Sequence, residues 1–234
     1  VAGAAFYGFV LSILFGGMLV DLFGMGTIVL LAFLMHVLGI GTTIFSNGFG
    51  MLFAGTLLVG IGNGLVEAVC NPLVATIYPD QKTHKLNNFH AWFPGGLIIG
   101  GLVAYSMTQI NLNWQLKMCA ILVVVAVYGV MFLGHQFPAT ERVQAAVSTK
   151  DMYKEAMRPV FLLLFVCMFL TAATELGPNQ WIPAKLGEAT GAAGILILVF
   201  INGVMFLGRS LAGEVVHRIS PVALLCGASV LSAV

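Results

Sequence analysis

The chain has 234 residues, of which 59% are hydrophobic and only 8% are charged. Soluble domains carry about 25% charged residues, so this chain has too little polar surface to face water over most of its area. The formal net charge of +1 argues against nucleic acid as a partner. The composition therefore predicts a protein embedded in lipid.

Four cysteines lie far apart in apolar stretches and form no C-x-x-C pair, so we expect buried small side chains rather than disulfides or metal ligands. They are Cys70, Cys119, Cys167 and Cys226.

Seven apolar stretches are long enough to cross a bilayer, which takes about 20 mostly apolar residues per helix. The stretches are continuous rather than alternating, which favours helices over the strands of a barrel. They cover residues 2–20, 27–45, 50–77, 89–108, 116–134, 159–182 and 192–213, and an eighth begins near Pro221. Because Val1 and Val234 both lie within apolar runs, we expect further helices on either side.

Basic residues in the loops predict the orientation. If the loop after the first span is cytoplasmic, seven loop Lys and Arg residues lie on that side and two on the other, which is the bias typical of cytoplasmic loops. The cytoplasmic set is Lys82, Lys85, Arg142, Lys150, Lys154, Arg158 and Arg218, and the outer set is Lys117 and Lys185. Residue 1 then lies on the outer side.

One long polar stretch, residues 135–158, follows the fifth span. Its charges and helix-forming residues predict short amphipathic helices on the cytoplasmic face. We therefore predict an N-terminal bundle over 1–134, a central cytoplasmic loop over 135–158 and the start of a C-terminal bundle over 159–234.

Two similar segments end the first and seventh spans. Gly17 and Val20 of the first segment recur as Gly213 and Val216 of the second, and both segments lie on the predicted cytoplasmic side. Parallel repeats of this kind are typical of transporters built from two halves.

The first segment, GMLVDLFGMG from Gly17 to Gly26, resembles the loop signature between helices two and three of the major facilitator superfamily, G-x-L-x-D-R-x-G-R-R in outline. Gly17, Leu19, Asp21 and Gly24 match, whereas the basic positions are occupied by Leu22, Met25 and Gly26. The second segment keeps Gly208, Arg209, Gly213, Arg218 and Pro221.

This resemblance implies an all-α polytopic bundle with two pseudo-symmetric halves, of which the chain holds family helices two to six and seven to nine. It also implies a gating motif formed by Gly17, Asp21, Gly24, Arg209, Gly213 and Arg218.

A narrower resemblance covers GNGLVEAVCNPLVATIYP, from Gly62 to Pro79. It is similar to helix four of the fucose–proton symporter family, in which the pattern is G-x-G-x-x-E-x-x-x-N-P, and Lys85-Leu86-Asn87 is similar to the start of that family's helix five. The resemblance implies that Glu67 takes part in proton and sugar coupling. Phe93 stands where that family has a polar residue in contact with the sugar, so the fucose assignment is not carried over.

Independently of the resemblance, Asn63, Glu67 and Asn71 are spaced i, i+4, i+8 and share one helix face. Gly60 and Gly64 flank that face and allow another backbone to approach closely. An ionised carboxylate at mid-bilayer costs about 3 kcal/mol on insertion scales, so such acids point to function. We predict that this face points to the bundle interior; the alternative role for Glu67 is a structural hydrogen bond.

A second polar set lies in the sixth span, where Gly177 and Pro178 are expected to interrupt the helix and so to line a cavity. Its members are Thr171, Thr174, Glu175, Asn179, Gln180 and Trp181. Trp181 could stack on a sugar or lie in the interfacial aromatic belt.

Four further features lie in the spans. His90 could share a proton with Glu67 or form a structural hydrogen bond, and His36, alone in the second span, is expected to be structural. Gly96 and Gly100 form a G-x-x-x-G motif that predicts helix packing. Arg209 is expected near the cytoplasmic end of its span, in a gate rather than in contact with substrate.

Together these features predict a secondary transporter, with proton-coupled uptake of a sugar or similar small polar solute. The alternative is proton-driven efflux of an apolar compound, which would favour a less polar cavity. We expect no enzyme, because H-E-x-x-H, G-x-S-x-G and Walker A motifs are missing from the sequence. We expect a monomer in the bacterial inner membrane whose partners are the solute, the proton and the bilayer, with no cofactor and no metal.

Overall fold

The computed structural model describes residues 1–190 and 193–216, together with residues 223, 226, 227, 229 and 230. Regular structure within these residues is helical, which confirms the predicted all-α fold. The helices are α1 Ala2–Phe23, α2 Met25–Ile44, α3 Phe49–Ile77, α4 Lys82–Gln109, α5 Trp114–Phe132, α6 Glu141–Gln144, α7 Thr149–Ala156, α8 Pro159–Thr190 and α9 Gly194–Val216, with a 3-10 turn over Pro79–Gln81 before α4.

Seven of the described helices, α1 to α5 with α8 and α9, are long and apolar enough to cross a membrane, which confirms the seven predicted spans. The predicted eighth span near Pro221 lies mostly outside the described residues. Large apolar side chains at the start of α8 are exposed, as a lipid-facing surface requires, among them Phe161, Leu163 and Phe165.

Two helices extend further than their apolar stretches. Helix α4 begins at Lys82, before the apolar run starts at residue 89, because hydropathy marks the part of a helix that lies in lipid and not the helix end. Helix α8 continues through Gly177 and Pro178, so the predicted interruption is wrong. A proline removes one backbone hydrogen bond, and a bilayer favours keeping the remaining groups bonded within the helix.

Contacts divide the chain into two compact units. The first unit contains residues 1–79 and 107–162, and the second contains residues 80–106 and the described residues from 163 onward. This grouping places α4 with α8 and α9. The boundaries of the N-terminal and C-terminal bundles drawn from the sequence stay a prediction.

In the first unit, glycines let α3 pack closely between α1 and α2. A Cβ atom added at Gly60 would collide with the backbone of Ala5 in α1, and one added at Gly64 would lie 2.6 Å from the carbonyl oxygen of Phe9. On the α2 side, a Cβ atom at Gly39 would lie 2.8 Å from the carbonyl oxygen of Gly55. The close approach predicted at Gly60 and Gly64 is confirmed.

Helices α1, α2 and α3 also share an apolar core. Its buried members are Val20, Met25, Ile28, Val29, Ala32, Leu65 and Val69. Cys70 is buried as expected, Cys119 is half-buried, and Cys167 and Cys226 are exposed.

In the second unit, α4 contacts α9 through Gly95 and Gly101. A Cβ atom at Gly95 would lie 3.2 Å from the ring of Phe206, and one at Gly101 would lie 2.7 Å from Val199. A Cβ atom added at Gly96 or Gly100 has no described atom within 4 Å, so the helix packing expected from their G-x-x-x-G spacing has no partner among the described residues and stays a prediction.

The central polar stretch contains the two short helices α6 and α7, as predicted. Each begins with a capping hydroxyl: Thr140 Oγ1 accepts a hydrogen bond from the Val143 amide at 3.3 Å, and Ser148 Oγ accepts one from the Asp151 amide at 3.1 Å. Such caps satisfy amide groups that the helix itself leaves unpaired.

Asp21, at the end of α1, holds this stretch in place. Arg142 Nη1 donates to Asp21 Oδ2, and Thr140 Oγ1 donates to Asp21 Oδ1 at 2.6 Å. The Arg142 guanidinium also donates to Thr149 Oγ1 at 2.8 Å. The side chains of Asp21 and Arg142 are only 11% and 23% exposed, so little solvent separates their charges. The cation missing from the loop signature is thus supplied by the central stretch.

The two glycines that match the loop signature, Gly17 and Gly24, differ in their surroundings. Gly24 joins α1 to α2 with a φ of +80°, a left-handed conformation that glycine adopts without strain. Gly17 has open space where a Cβ atom would stand, so no described neighbour requires glycine there.

We predict that Asp21→Asn lowers the free energy of unfolding by about 2 kcal/mol, because it leaves Arg142 without its anion. Arg142→Gln should cost a similar amount, and the double variant should cost less than the sum of the two. Thermal unfolding of the detergent-solubilised protein measures these values. Arg158→Gln is the control, because the Arg158–Glu155 pair is exposed and should contribute little. Additive single effects would contradict a direct pairing.

We also predict the side of the membrane on which α7 lies. In a variant without native cysteines, a membrane-impermeant thiol reagent applied to intact cells should label Lys185→Cys but not Lys150→Cys, because the basic loops are expected in the cytoplasm. Both lysines are exposed in the structure, so shielding does not distinguish them. Labelling of Lys150→Cys without labelling of Lys185→Cys would contradict this orientation and would indicate the inverted topology.

Candidate functional site

The polar face of α3 contains Asn63, Glu67 and Asn71, and successive helical residues turn by 100°, so the three fall within about 80° of arc. Gly60 marks the side of α3 that packs on α1, and Gly62 marks the side that packs on α2. Helical geometry places Asn63 between these two sides, and the stripe turns towards α1 at Asn71.

Glu67 is half-buried, and within the described part of the chain its carboxylate forms no hydrogen bond and no ion pair. Asn71 is also half-buried, and its Oδ1 atom is buried without a hydrogen-bond partner among the described residues. Buried acceptors are nearly always paired in folded proteins. These two side chains therefore offer acceptor oxygens that could bond to the hydroxyl groups of a ligand.

Asn63 has a different environment. It is exposed, yet its Oδ1 atom lies 2.9 Å from Nε2 of His36 on α2. The other ring nitrogen of His36, Nδ1, lies 2.7 Å from the hydroxyl of Tyr128 on α5. His36 is only 6% exposed. The histidine predicted to be structural is thus hydrogen-bonded between two helices, and one of its partners belongs to the polar face.

The second unit contains a separate charged pair. Arg209 Nη2 on α9 donates to both carboxylate oxygens of Glu175 on α8, at 3.1 and 3.3 Å, and the two side chains are 32% and 27% exposed. The carbonyl oxygen of Arg209 also accepts a hydrogen bond of 2.8 Å from Asn87 Nδ2 on α4. Glu175, predicted to face a cavity, and Arg209, predicted to belong to a gate, therefore lie in one ion pair.

The remaining members of the α8 set are less enclosed. Asn179 is half-buried, Gln180 is exposed, and Trp181 is 67% exposed. The exposure of Trp181 is compatible with either role considered for it. The nearby hydroxyls of Thr171 and Thr174 donate to backbone carbonyls of α8 itself, so both are already used within the helix.

The other predicted site residues lie apart from these groups or outside the described residues. The ring of His90 packs edge-on against Phe89, with centroids 5.3 Å apart, and belongs to the second unit, so its pairing with Glu67 stays a prediction. Gly213 lies in α9, and Arg218 lies outside the described residues.

Three residues that contact these sites were not predicted as partners: Arg142 of Asp21, Tyr128 of His36 and Asn87 of Arg209. A signal existed for the first, because the loop signature lacks its cations and the central stretch contains four basic residues. The other two join helices far apart in sequence, and spacing within one helix carries no information about them.

The two intramembrane acids therefore differ in their electrostatic surroundings. The guanidinium of Arg209 compensates the charge of Glu175, which is the usual condition for a carboxylate inside a span. Glu67 has no such cation among the described residues. Among the described residues no three His, Cys, Asp or Glu side chains are grouped as metal ligands would be.

Comparison with known proteins gives one finding. No curated protein and no solved structure matches the chain. The sequence model of the Major Facilitator Superfamily, in contrast, matches residues 1–234, which is the whole length. With a match over every residue, and with seven helices in the described part of the chain long and apolar enough to cross a membrane, the chain belongs to the Major Facilitator Superfamily and is a multi-pass secondary transporter of small molecules rather than an enzyme.

Proposed function

We propose that this transporter takes up a sugar or a similar small polar solute together with protons, and that the polar face of α3 contacts both. The observation that carries the proposal is Glu67, a half-buried carboxylate within a span that lacks a cation among the described residues. An acid in this position favours proton binding, because the ionised form is costly in a bilayer.

The neighbours of Glu67 support a polar solute. Asn63 and Asn71 lie one turn before and one turn after it, and the buried Oδ1 atom of Asn71 has no described partner. A sugar hydroxyl can donate to such an oxygen and accept from an amide. An apolar compound would leave the Glu67 carboxylate and the Asn71 oxygen without a partner, so efflux of apolar compounds is the weaker candidate.

Coupling in this proposal is a difference in affinity. Protonated Glu67 can donate a hydrogen bond, whereas ionised Glu67 only accepts, so a bound hydroxyl group interacts differently with the two forms. That difference is the coupling free energy between proton and solute. Alternating access then exposes the loaded face to one side of the membrane at a time.

The second charged pair supports a division of roles. Because Arg209 already compensates Glu175, we assign that pair to the stability of the second unit and of its gating segment rather than to proton transfer. Gln180 and Trp181 are assigned to solute contact from the second half, with His90 as a partner of Glu67. The transporter is proposed to act as a monomer in the bacterial inner membrane, with α6 and α7 on the cytoplasmic side.

We predict that Glu67→Gln separates exchange from accumulation. Glutamine resembles the protonated acid, so the full-length variant in liposomes should still exchange radiolabelled sugar between equal concentrations but should lose proton-driven accumulation at least tenfold. A panel of hexoses and pentoses, with a pH-sensitive dye inside the vesicles, identifies the solute and the proton flux together.

Glu188→Gln is the matched control, because it makes the same chemical change at an exposed acid. Accumulation by Glu67→Gln equal to that of the parent would show that another group carries the proton. Proton flux driven by apolar compounds, with none driven by any sugar of the panel, would favour the efflux alternative.

We further predict that Glu175 and Arg209 matter as a pair. Arg209→Gln leaves a carboxylate uncompensated in a span and should lower the free energy of unfolding by about 2 kcal/mol. The double variant Glu175→Gln/Arg209→Gln should regain most of this stability and should still accumulate solute. Thermal unfolding in detergent and uptake in liposomes measure the two effects. A stable double variant that no longer accumulates solute would instead place Glu175 in the coupling mechanism.

A further inference from the structure

We propose that His36 and Tyr128 fix the orientation of the Asn63 carboxamide, so that the polar face of α3 presents N–H donors at position 63 to an acceptor oxygen of the solute. His36 is then a positioning residue that acts through Asn63. This inference rests on the proposed role of the α3 face in solute contact.

The hydrogen-bond chain crosses three helices of the first unit. Tyr128 on α5 lies 2.7 Å from Nδ1 of His36 on α2, and Nε2 of His36 lies 2.9 Å from Oδ1 of Asn63 on α3. The two hydrogen-bond partners of the His36 ring differ in chemistry. The phenol of Tyr128 can donate or accept a hydrogen bond, whereas the amide oxygen of Asn63 can only accept one.

The direction of each bond follows from counting protons. The amide oxygen of Asn63 can only accept a hydrogen bond, so Nε2 is the ring nitrogen of His36 that carries the proton. In neutral imidazole Nδ1 then accepts, and the Tyr128 hydroxyl donates to it. This order gives each of the three groups a complementary partner, and it uses the oxygen of Asn63 rather than its nitrogen.

The consequence lies on the exposed side of Asn63. With Oδ1 bonded to His36, the Nδ2 group keeps its two N–H donors for a ligand, because it has no described hydrogen bond. One turn along the helix Glu67 and then Asn71 offer oxygens. The polar face of α3 therefore presents a hydrogen-bond donor at position 63 followed by acceptors at positions 67 and 71. It selects a solute with an acceptor oxygen opposite position 63.

The imidazole is held in a socket. A Cβ atom at Gly62 would lie 2.8 Å from both Cδ2 and Nε2 of His36, so the ring packs directly on the backbone of α3, one residue before Asn63. On the other side, Tyr128 stands edge-on to the ring with centroids 5.8 Å apart, and Phe33 packs edge-on against Tyr128 at 6.0 Å. A side chain at position 62 would therefore force the His36 ring to shift.

The variants follow from this geometry. Without His36 the carboxamide is free to turn by half a rotation, which exchanges its oxygen and nitrogen. In full-length protein in liposomes, His36→Leu should raise the KM for the best-transported sugar about tenfold, with a smaller change in the maximal rate. It should also weaken discrimination between that sugar and its singly deoxygenated analogues. The probes are D-glucose, D-galactose, D-mannose and L-fucose with those analogues.

Gly62→Ala and Tyr128→Phe test the same chain without removing the imidazole. Gly62→Ala should raise KM as His36→Leu does, and combining the two changes should add little. Tyr128→Phe should give a smaller increase, because Nε2 can still bond to Asn63. Gly96→Ala is the matched control, since that glycine has open space around it among the described residues. A purely structural role would lower the amount of folded protein and leave the ranking of the analogues unchanged.

A spectroscopic test is independent of transport. Nitrogen NMR of ¹⁵N-histidine-labelled protein, with His36→Leu identifying the signal, should show the Nε2–H tautomer for His36. The Nδ1–H tautomer, or unchanged KM and ranking in folded Gly62→Ala and Tyr128→Phe, would overturn the inference even if Glu67→Gln uncouples transport. If instead no sugar of the panel is transported, the proposed function fails while the tautomer still reports on the hydrogen-bond chain.

Discussion

Lipid does not solvate charge, and this constraint decides how the ionisable side chains of the chain are arranged. An ionised group inside a span needs an opposite charge, a polar surrounding or a proton. Glu175 has the first of these in Arg209. At the end of α1, Asp21 has Arg142 and a threonine hydroxyl. Glu67 has no paired cation among the described residues, which sets it apart from the other two acids.

The same environment explains why glycine dominates the packing of the first unit. Helices in lipid gain little from burying apolar surface against each other, so close backbone contact must replace it. Gly60 and Gly39 bring α3 against α1 and α2. At Gly62 the same device serves a polar group, because it lets the His36 ring reach Asn63. Glycine therefore allows both the close packing of these helices and the contact between His36 and Asn63.

Local periodicity predicted much of this structure. The span positions follow from the thickness of the bilayer, and the stripe of Asn63, Glu67 and Asn71 follows from the helical repeat. The prediction that Pro178 interrupts the helix was wrong, because a proline costs one hydrogen bond without necessarily ending a helix. Contacts such as His36 with Tyr128 depend on which helices become neighbours, and nothing in the spacing of either segment specifies that.

The basic partner of Asp21 lies outside the loop signature in this chain. Leu22, Met25 and Gly26 replace the basic residues expected after Asp21, which alone would leave the carboxylate unpaired. Arg142 binds it from a segment more than a hundred residues later, and Thr149 in turn holds the guanidinium. The anion thereby connects α1 to the central stretch that precedes α8. In the proposed mechanism, a movement of α1 would be transmitted to that stretch through the bonds of Asp21 to Arg142 and Thr140.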